Sequence, residues 1–97
     1  MSYSQFYIQD IGLGEILPEV KQYLSRVRRT KNDVQWLPRY YKTYAAALQA
    51  LDNIEKAYWK TKKFATFPSL IQRDEDLLLV TNVVFRIRSI VKYGKDS

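Results

Sequence analysis

The densest group of side chains able to do chemistry lies between residues 23 and 41. This segment, YLSRVRRTKNDVQWLPRYY, contains four arginines, three tyrosines, one tryptophan and one lysine. Guanidinium groups bind phosphate and carboxylate oxygens through paired hydrogen bonds, and aromatic rings stack on bases or anchor protein interfaces. The composition therefore predicts a contact surface for nucleic acid or for another protein.

The distribution of charge supports this location. The chain has a formal net charge of +6, and residues 21–42 carry seven bases against a single acid, Asp33. Residues 1–20 carry three acids and no base. Because the positive excess is concentrated in one segment, an acidic partner is favoured.

The segment that carries these residues is predicted to be a β-hairpin over about residues 21–42. Lys31-Asn32-Asp33 is typical of a turn, and residues 34–41 are rich in β-forming types. A turn centred on Lys31 and Asn32 places Val27 opposite Trp36. A slip of one residue would exchange the two faces of the hairpin.

Alternation along the two strands divides the hairpin into two faces. One face is mostly apolar, and we expect Val27, Trp36 and Tyr40 to turn towards the core. Cross-strand neighbours on one face contact each other, so the other face should present a partner-binding patch. That patch consists of Arg26, Arg28, Arg39 and Tyr41.

The remaining elements complete an α+β prediction for a single domain of residues 1–97. Residues 4–9 have strand composition, and Gly12, Gly14 and Pro18 indicate a loop. A small antiparallel sheet, made of this N-terminal strand and the hairpin, should pack against two helices over about 43–63 and 74–93. An all-α alternative makes residues 18–30 a helix.

The two predicted helices rest on periodicity and on their end residues. Thr43 is an N-cap candidate for the first helix. Its apolar stripe at spacings of three and four is Tyr44, Ala47, Leu48, Leu51, Ile54 and Tyr58. The acids Asp74, Glu75 and Asp76 suit the positive start of the second helix.

The chain offers no set of residues for catalysis. It has no cysteine and no histidine, which excludes a thiolate and the commonest general base and metal ligand. Three consecutive acids at a helix start point in different directions, so they predict no metal site. We expect no enzyme activity, no cofactor and no metal.

Trp59 and Lys60 form a second candidate contact. Trp59 lies off the apolar stripe of its helix and is flanked by lysines. It could stack on a base or anchor an interface. The alternative is that Trp59 covers the hairpin or the loop after the helix.

The dipeptide Phe67-Pro68 interrupts the helical pattern. X-Pro bonds exchange slowly between cis and trans, so an accessible loop of this kind is a candidate substrate for a prolyl isomerase. A rigid turn that ends a helix is the alternative.

A 97-residue basic chain without cysteine or histidine, with Phe67-Pro68 in its last third, resembles the anti-RecBCD proteins of lambdoid phages. The resemblance concerns length and overall character. It implies binding to the host RecBCD helicase–nuclease, through its RecC subunit, which would protect phage DNA ends and redirect recombination. It also implies a host prolyl isomerase acting at Phe67-Pro68.

We expect the host cytoplasm as the location, with no membrane contact. No apolar run approaches the roughly 20 residues of a membrane span, and the first residues lack the features of a signal peptide. Two functional hypotheses follow. The first is a modulator of RecBCD. The second is a small basic nucleic-acid-binding protein that would contact nucleic acid such as DNA through the patch of Arg26, Arg28 and Arg39 and through Trp59.

Overall fold

The computed structural model describes residues 2–93, which form an α+β fold as predicted. The strands are β1 (Ser2–Gly12), β2 (Ser25–Thr30), β3 (Asp33–Pro38), β4 (Ile71–Asp74), β5 (Leu77–Val80) and β6 (Val83–Tyr93). The helices are α1 (Lys21–Leu24), α2 (Tyr44–Trp59) and α3 (Lys62–Thr66), with short 3-10 turns at Pro18–Val20 and Pro68–Leu70.

Four antiparallel strands form the main sheet, in the spatial order β1-β6-β5-β4. β1 and β6 pair over their whole length, from Ser2 opposite Tyr93 to Gly12 opposite Val83. The N-terminal strand predicted over 4–9 is therefore confirmed, and it is longer than predicted. Its partner is β6, so the prediction that it forms one sheet with the hairpin is wrong.

The segment 74–93 is not a helix, and that prediction is wrong. Two-residue turns at Glu75-Asp76 and Thr81-Asn82 divide this part of the chain into β4, β5 and β6. The first residue of each turn has a positive φ, 44° at Glu75 and 54° at Thr81. Valine and isoleucine favour strands, and pairing with β1 and between neighbouring strands outweighs the helical spacing of the leucines.

The acids at 74–76 consequently lie at the β4–β5 turn and not at a helix start, which corrects that prediction. Within residues 2–93, no group of three or more histidine, cysteine or acidic side chains is arranged to hold a metal ion. In the same range, none of the helices combines the length and the apolar character needed to cross a membrane.

Helix α2 packs on one face of the main sheet, which we call the inner face. The hydroxyl of Thr43 caps this helix by accepting a hydrogen bond from the Ala46 N–H at 3.1 Å, as predicted. The buried residues of α2 are Ala47, Ala50, Leu51, Ile54 and Tyr58. They meet buried side chains of the sheet, and the rings of Tyr58 and Phe85 lie 5.9 Å apart.

Strands β2 and β3 form a separate two-stranded sheet, which we call the arm (residues 25–38). Val27 pairs with Trp36, so the predicted register is confirmed. The prediction that both face the core is wrong, because Val27 is 39% and Trp36 61% exposed. The radius of gyration is 15.2 Å, larger than the roughly 13 Å of a compact domain of this size.

The arm begins later than predicted. Residues 18–24 form a 3-10 turn followed by α1, so the hairpin starts at Ser25 and not at residue 21. The helical alternative for residues 18–30 therefore holds only for the first seven of them. The helical spacing of Val20, Tyr23 and Leu24 reflects this short helical segment. The segment ends at Leu24, and β2 pairs with β3 from the next residue onward.

Candidate nucleic-acid interface

The face of the main sheet opposite α2, which we call the outer face, carries basic and aromatic side chains. Buried Ile8, Phe85 and Ile87 point towards α2, so their neighbours in sequence point the other way. The register of β1 and β6 brings these neighbours together as cross-strand pairs. They include Tyr3 opposite Lys92, Tyr7 opposite Arg88 and Gln9 opposite Arg86.

The residues of the outer face were missed at the level of sequence. In the segment FRIRSIVKY, bases occupy positions 86, 88 and 92 while Phe85 and Ile87 alternate with the first two. This period of two is the signal of a strand with one solvated face. The helical spacing of the leucines and valines over residues 74–93 obscures this signal.

The arm adds more arginines. Arg26 and Arg28 lie on one face of β2, with Arg28 two residue pairs nearer the tip, and Arg29 lies on the other face. Arg39 follows β3, and hydrogen bonds hold both its backbone and its side chain. Its backbone N–H donates to the Leu24 carbonyl at 3.0 Å, and its Nη1 donates to the Gln22 carbonyl at 3.0 Å.

A pocket of about 590 Å³ joins the base of the arm to the outer face, and we call it the base pocket. It is lined by Tyr3, Gln5, Arg26, Arg39, Tyr40 and Lys92. Three cations from three separate segments thus share one pocket, and within the described part of the chain its lining contains no carboxylate.

Tyr40 packs beside the outer face, which corrects the prediction that it turns into the core. The ammonium of Lys92 lies 4.5 Å from the centre of its ring, within the range of a cation–π interaction. The ring of Tyr7 meets it edge to face, with centroids 5.9 Å apart. Tyr40 therefore orients Lys92 at the pocket.

Tyr41 anchors the base of the arm to β1. Its backbone exchanges two hydrogen bonds with Phe6, at 2.9 and 2.7 Å. Its hydroxyl donates to the Tyr23 carbonyl at 2.9 Å. Burial raises the pKa of the Tyr41 hydroxyl above its usual value, although nearby Arg39 opposes this shift. The side chain is thus engaged inside the protein, and the predicted patch loses its tyrosine.

Trp59 and Lys60 lie at the end of α2, on the inner side of the main sheet. Trp59 is 38% exposed, and its Nε1 donates to Glu55 Oε2 at 3.0 Å within the same helix. Glu55 in turn pairs with Arg73 of β4 at 2.9 Å. The structure therefore separates this second candidate contact from the predicted arginine patch.

Phe67-Pro68 lies between α3 and β4. Phe67 is 59% exposed, and Pro68 opens a 3-10 turn. The Phe67 N–H donates to the Lys63 carbonyl at 3.0 Å, and the Leu70 N–H donates to the Phe67 carbonyl at 3.1 Å. The dipeptide is thus accessible and is held in a hydrogen-bonded connection.

The ion pairs found in residues 2–93 both involve Arg73, with Asp52 and with Glu55. Within that range, Arg26, Arg39 and Lys92 form no ion pair, so the base pocket concentrates positive charge without a protein counterion. The fold and this site define a small α+β protein with a basic, tyrosine-bearing surface. The sequence matches no protein-family model, no curated protein and no solved structure.

Proposed function

We propose that this chain is a non-catalytic nucleic-acid-binding protein that holds a single strand across the outer face and the base of the arm. The observation that carries the proposal is the base pocket. Arg26, Arg39 and Lys92 line it together with two tyrosines, and no carboxylate among residues 2–93 lines it with them.

The chemistry of this surface suits a polynucleotide. Cations that approach phosphates release condensed counterions, which supplies much of the binding free energy. Aromatic side chains stack on unpaired bases with little regard to sequence. Tyr3 is 51% exposed, and a ring on a sheet surface needs an unstacked base as its partner. This requirement favours single strands over duplexes.

The exposure of the arm strengthens the case for nucleic acid. If half of the arm were core, only a narrow arginine face would remain for a partner. Both faces are in fact accessible, and Arg26, Arg28, Arg29 and Arg39 are all exposed. A broad basic surface that includes the exposed Trp36 matches the extended charge of a nucleic-acid backbone.

Fluorescence anisotropy with a labelled single-stranded oligonucleotide tests the proposal. The variant R26Q/R39Q/K92Q removes the three cations of the base pocket. The control K56Q/K60Q/K62Q removes three exposed lysines, one in α2, one directly after it and one in α3, and changes the net charge equally. We expect at least a tenfold loss of affinity in the first variant, or about 1.4 kcal/mol, and a much smaller loss in the control.

The dependence on salt provides a second measurement. For single strands, the slope of log K against log salt is about −0.7 per neutralised phosphate. The first variant should therefore flatten the slope more than the control does. Equal losses of affinity in both variants would show that net charge, and not this surface, determines binding.

The second candidate function is that of a phage modulator of RecBCD, bound through its RecC subunit. Its support is the resemblance described above, together with an accessible Trp36 on a protruding arm, since tryptophan and arginine often anchor protein interfaces. The exposed Phe67 beside Pro68 supports the accompanying proposal of a prolyl-isomerase contact.

Purified RecBCD and RecC test this second candidate directly. After nuclease treatment, the immobilised chain should retain them, and R26Q/R28Q/R39Q should weaken that retention. Binding that disappears on nuclease treatment would contradict a protein contact. For the isomerase contact, Pro68→Ala should abolish binding of a purified prolyl isomerase, and unchanged binding would contradict the contact at Pro68.

A further inference from the structure

We propose that the base pocket binds the terminal phosphate of a nucleic-acid strand, with the end nucleotide stacked on Tyr3. The inference rests on the proposed function for its ligand, and it adds that the chain recognises strand ends. Three observations support this inference. They are the number of cations in the pocket, the contacts that hold two of these cations in place, and the volume available beside them.

The number of cations exceeds what an internal phosphate needs. An internal phosphodiester carries one negative charge, whereas a phosphate monoester carries about −1.5 to −2 near neutral pH. Arg26 comes from β2, Arg39 from the segment after β3, and Lys92 from β6. Cations from three segments around one pocket suit a single, highly charged group better than a strand that passes through.

Two of the three cations are held in place before a ligand arrives. The Arg39 guanidinium donates to the Gln22 carbonyl at 3.0 Å, which leaves other N–H groups of its five free for an anion. The Lys92 ammonium lies over the Tyr40 ring at 4.5 Å. Groups that are already ordered lose less entropy when they bind.

The pocket also has room for more than a phosphate group. Its volume is about 590 Å³, so a sugar and a base can enter with the phosphate. Lys92 occupies one side of the Tyr40 ring, whereas Tyr3, directly opposite Lys92 in the sheet, is 51% exposed. Tyr3 is therefore the ring on which the end base would stack, beside the bound phosphate.

Oligonucleotides of one sequence that differ only at their ends test this inference. The three probes carry a 5′-phosphate, a 3′-phosphate or hydroxyls at both ends, with the label attached internally. We expect one phosphorylated probe to bind about tenfold more tightly than the hydroxyl probe, which corresponds to about 1.4 kcal/mol. Lys92→Gln should remove this preference, and Lys60→Gln should leave it intact.

The outcomes separate the two proposals. Equal affinity for all three probes, with sensitivity to R26Q/R39Q/K92Q, would overturn the end-binding inference and leave nucleic-acid binding standing. If no probe binds, the proposed function fails and the inference about strand ends fails with it.

Inorganic phosphate and a nucleoside monophosphate distinguish a strand end from a free phosphate compound. In NMR titrations, both should shift the ring resonances of Tyr3 and Tyr40, more weakly than the phosphorylated strand does. If the mononucleotide binds as tightly as the strand, the ligand is a free nucleotide and the strand-end inference is overturned. If neither small ligand nor the phosphorylated strand shifts these resonances, the pocket binds no phosphate.

Discussion

The main sheet and the arm are both antiparallel, yet they bury their side chains very differently. In β6, Val83, Phe85 and Ile87 alternate with solvated neighbours because α2 covers one face. In β2 and β3, no residue is buried. Secondary structure and register therefore do not determine burial. Burial follows from whether another element covers a face.

The arm is held mainly at its base. A two-stranded sheet alone is marginally stable in water. Below the arm, Tyr41 pairs with Phe6, and Arg39 bonds to the Leu24 carbonyl. Substitutions of the arm's exposed side chains should therefore have little effect on the core. Such tolerance of substitution is expected of a contact surface.

The largest expected difference between the two regions concerns their large aromatic residues. Phe85 is fully buried, whereas Trp36 is 61% exposed. Phe85→Ala should lower the free energy of unfolding by about 3–5 kcal/mol. Trp36→Ala should change it by no more than about 0.5 kcal/mol. Urea denaturation measures both, and comparable losses would contradict the contrast drawn between sheet and arm.

A smaller difference in stability is expected between replacing an arginine of the main sheet and replacing one of the arm. Arg73 is mostly buried and contacts Asp52 at 2.8 Å and Glu55 at 2.9 Å, which ties β4 to α2. Arg73→Ala should cost about 1–2 kcal/mol, reduced at high salt because Asp52 is half exposed. Arg28→Ala on the arm is the matched control. A loss in the control equal to that for Arg73 would show that arm arginines also stabilise the fold.

A further prediction concerns the junction between the two regions. Tyr41→Phe removes the hydrogen bond to the Tyr23 carbonyl and should cost about 1 kcal/mol. Tyr93→Phe, at a ring that is 78% exposed, serves as the control. Thermal unfolding measures both, and an unchanged midpoint in Tyr41→Phe would show that the backbone bridge alone anchors the arm.

The raised pKa of the Tyr41 hydroxyl predicts how the stability of the fold changes with pH. Burial raises the pKa of Tyr41 in the folded state, so the folded protein holds this proton more tightly than the unfolded chain does. The stabilisation is complete below the unfolded pKa of about 10 and is lost as the pH rises through the folded value. Tyr41→Phe should therefore reduce the loss of stability above pH 10, which alkaline denaturation curves can measure.

The smallest expected change in stability comes from the arm's basic face. R26Q/R28Q should alter the free energy of unfolding by less than about 0.5 kcal/mol, because neither arginine forms an ion pair within residues 2–93. Anisotropy with the single-stranded probe should nevertheless show weaker binding. A stability change above 1 kcal/mol would contradict the separation of binding from folding.

The parts of the fold that were predicted correctly depend on local signals. Lys31-Asn32 set the register of the arm, and Thr43 marked the start of α2. The segment 74–93 was misassigned because its leucines and valines satisfy both a helical and an alternating pattern. Its strands are decided by pairing with each other and with β1, which is about 80 residues away in sequence.

The candidate site was likewise predicted only in part from the sequence. Arg26 and Arg39 were recognised from the basic segment, whereas Lys92 and Tyr3 were missed. Sequence proximity groups residues of one hairpin, but the base pocket also draws on both ends of the described chain. Trp59 and Lys60 were predicted as partner-binding residues because an aromatic ring beside lysines suits the same partners as the arginine patch. They lie at the end of α2, on the inner side of the sheet.

The positions of the positive charges, the register of the arm and the apolar stripe of α2 follow from the amino-acid sequence alone, because turns, caps and side-chain alternation act over a few residues. Two other features depend on the complete fold: both faces of the arm are solvated, and Arg26, Arg39 and Lys92 meet in one pocket. The physical reason is that burial and convergence depend on which distant segments pack together. Here α2 covers the main sheet and leaves the arm exposed.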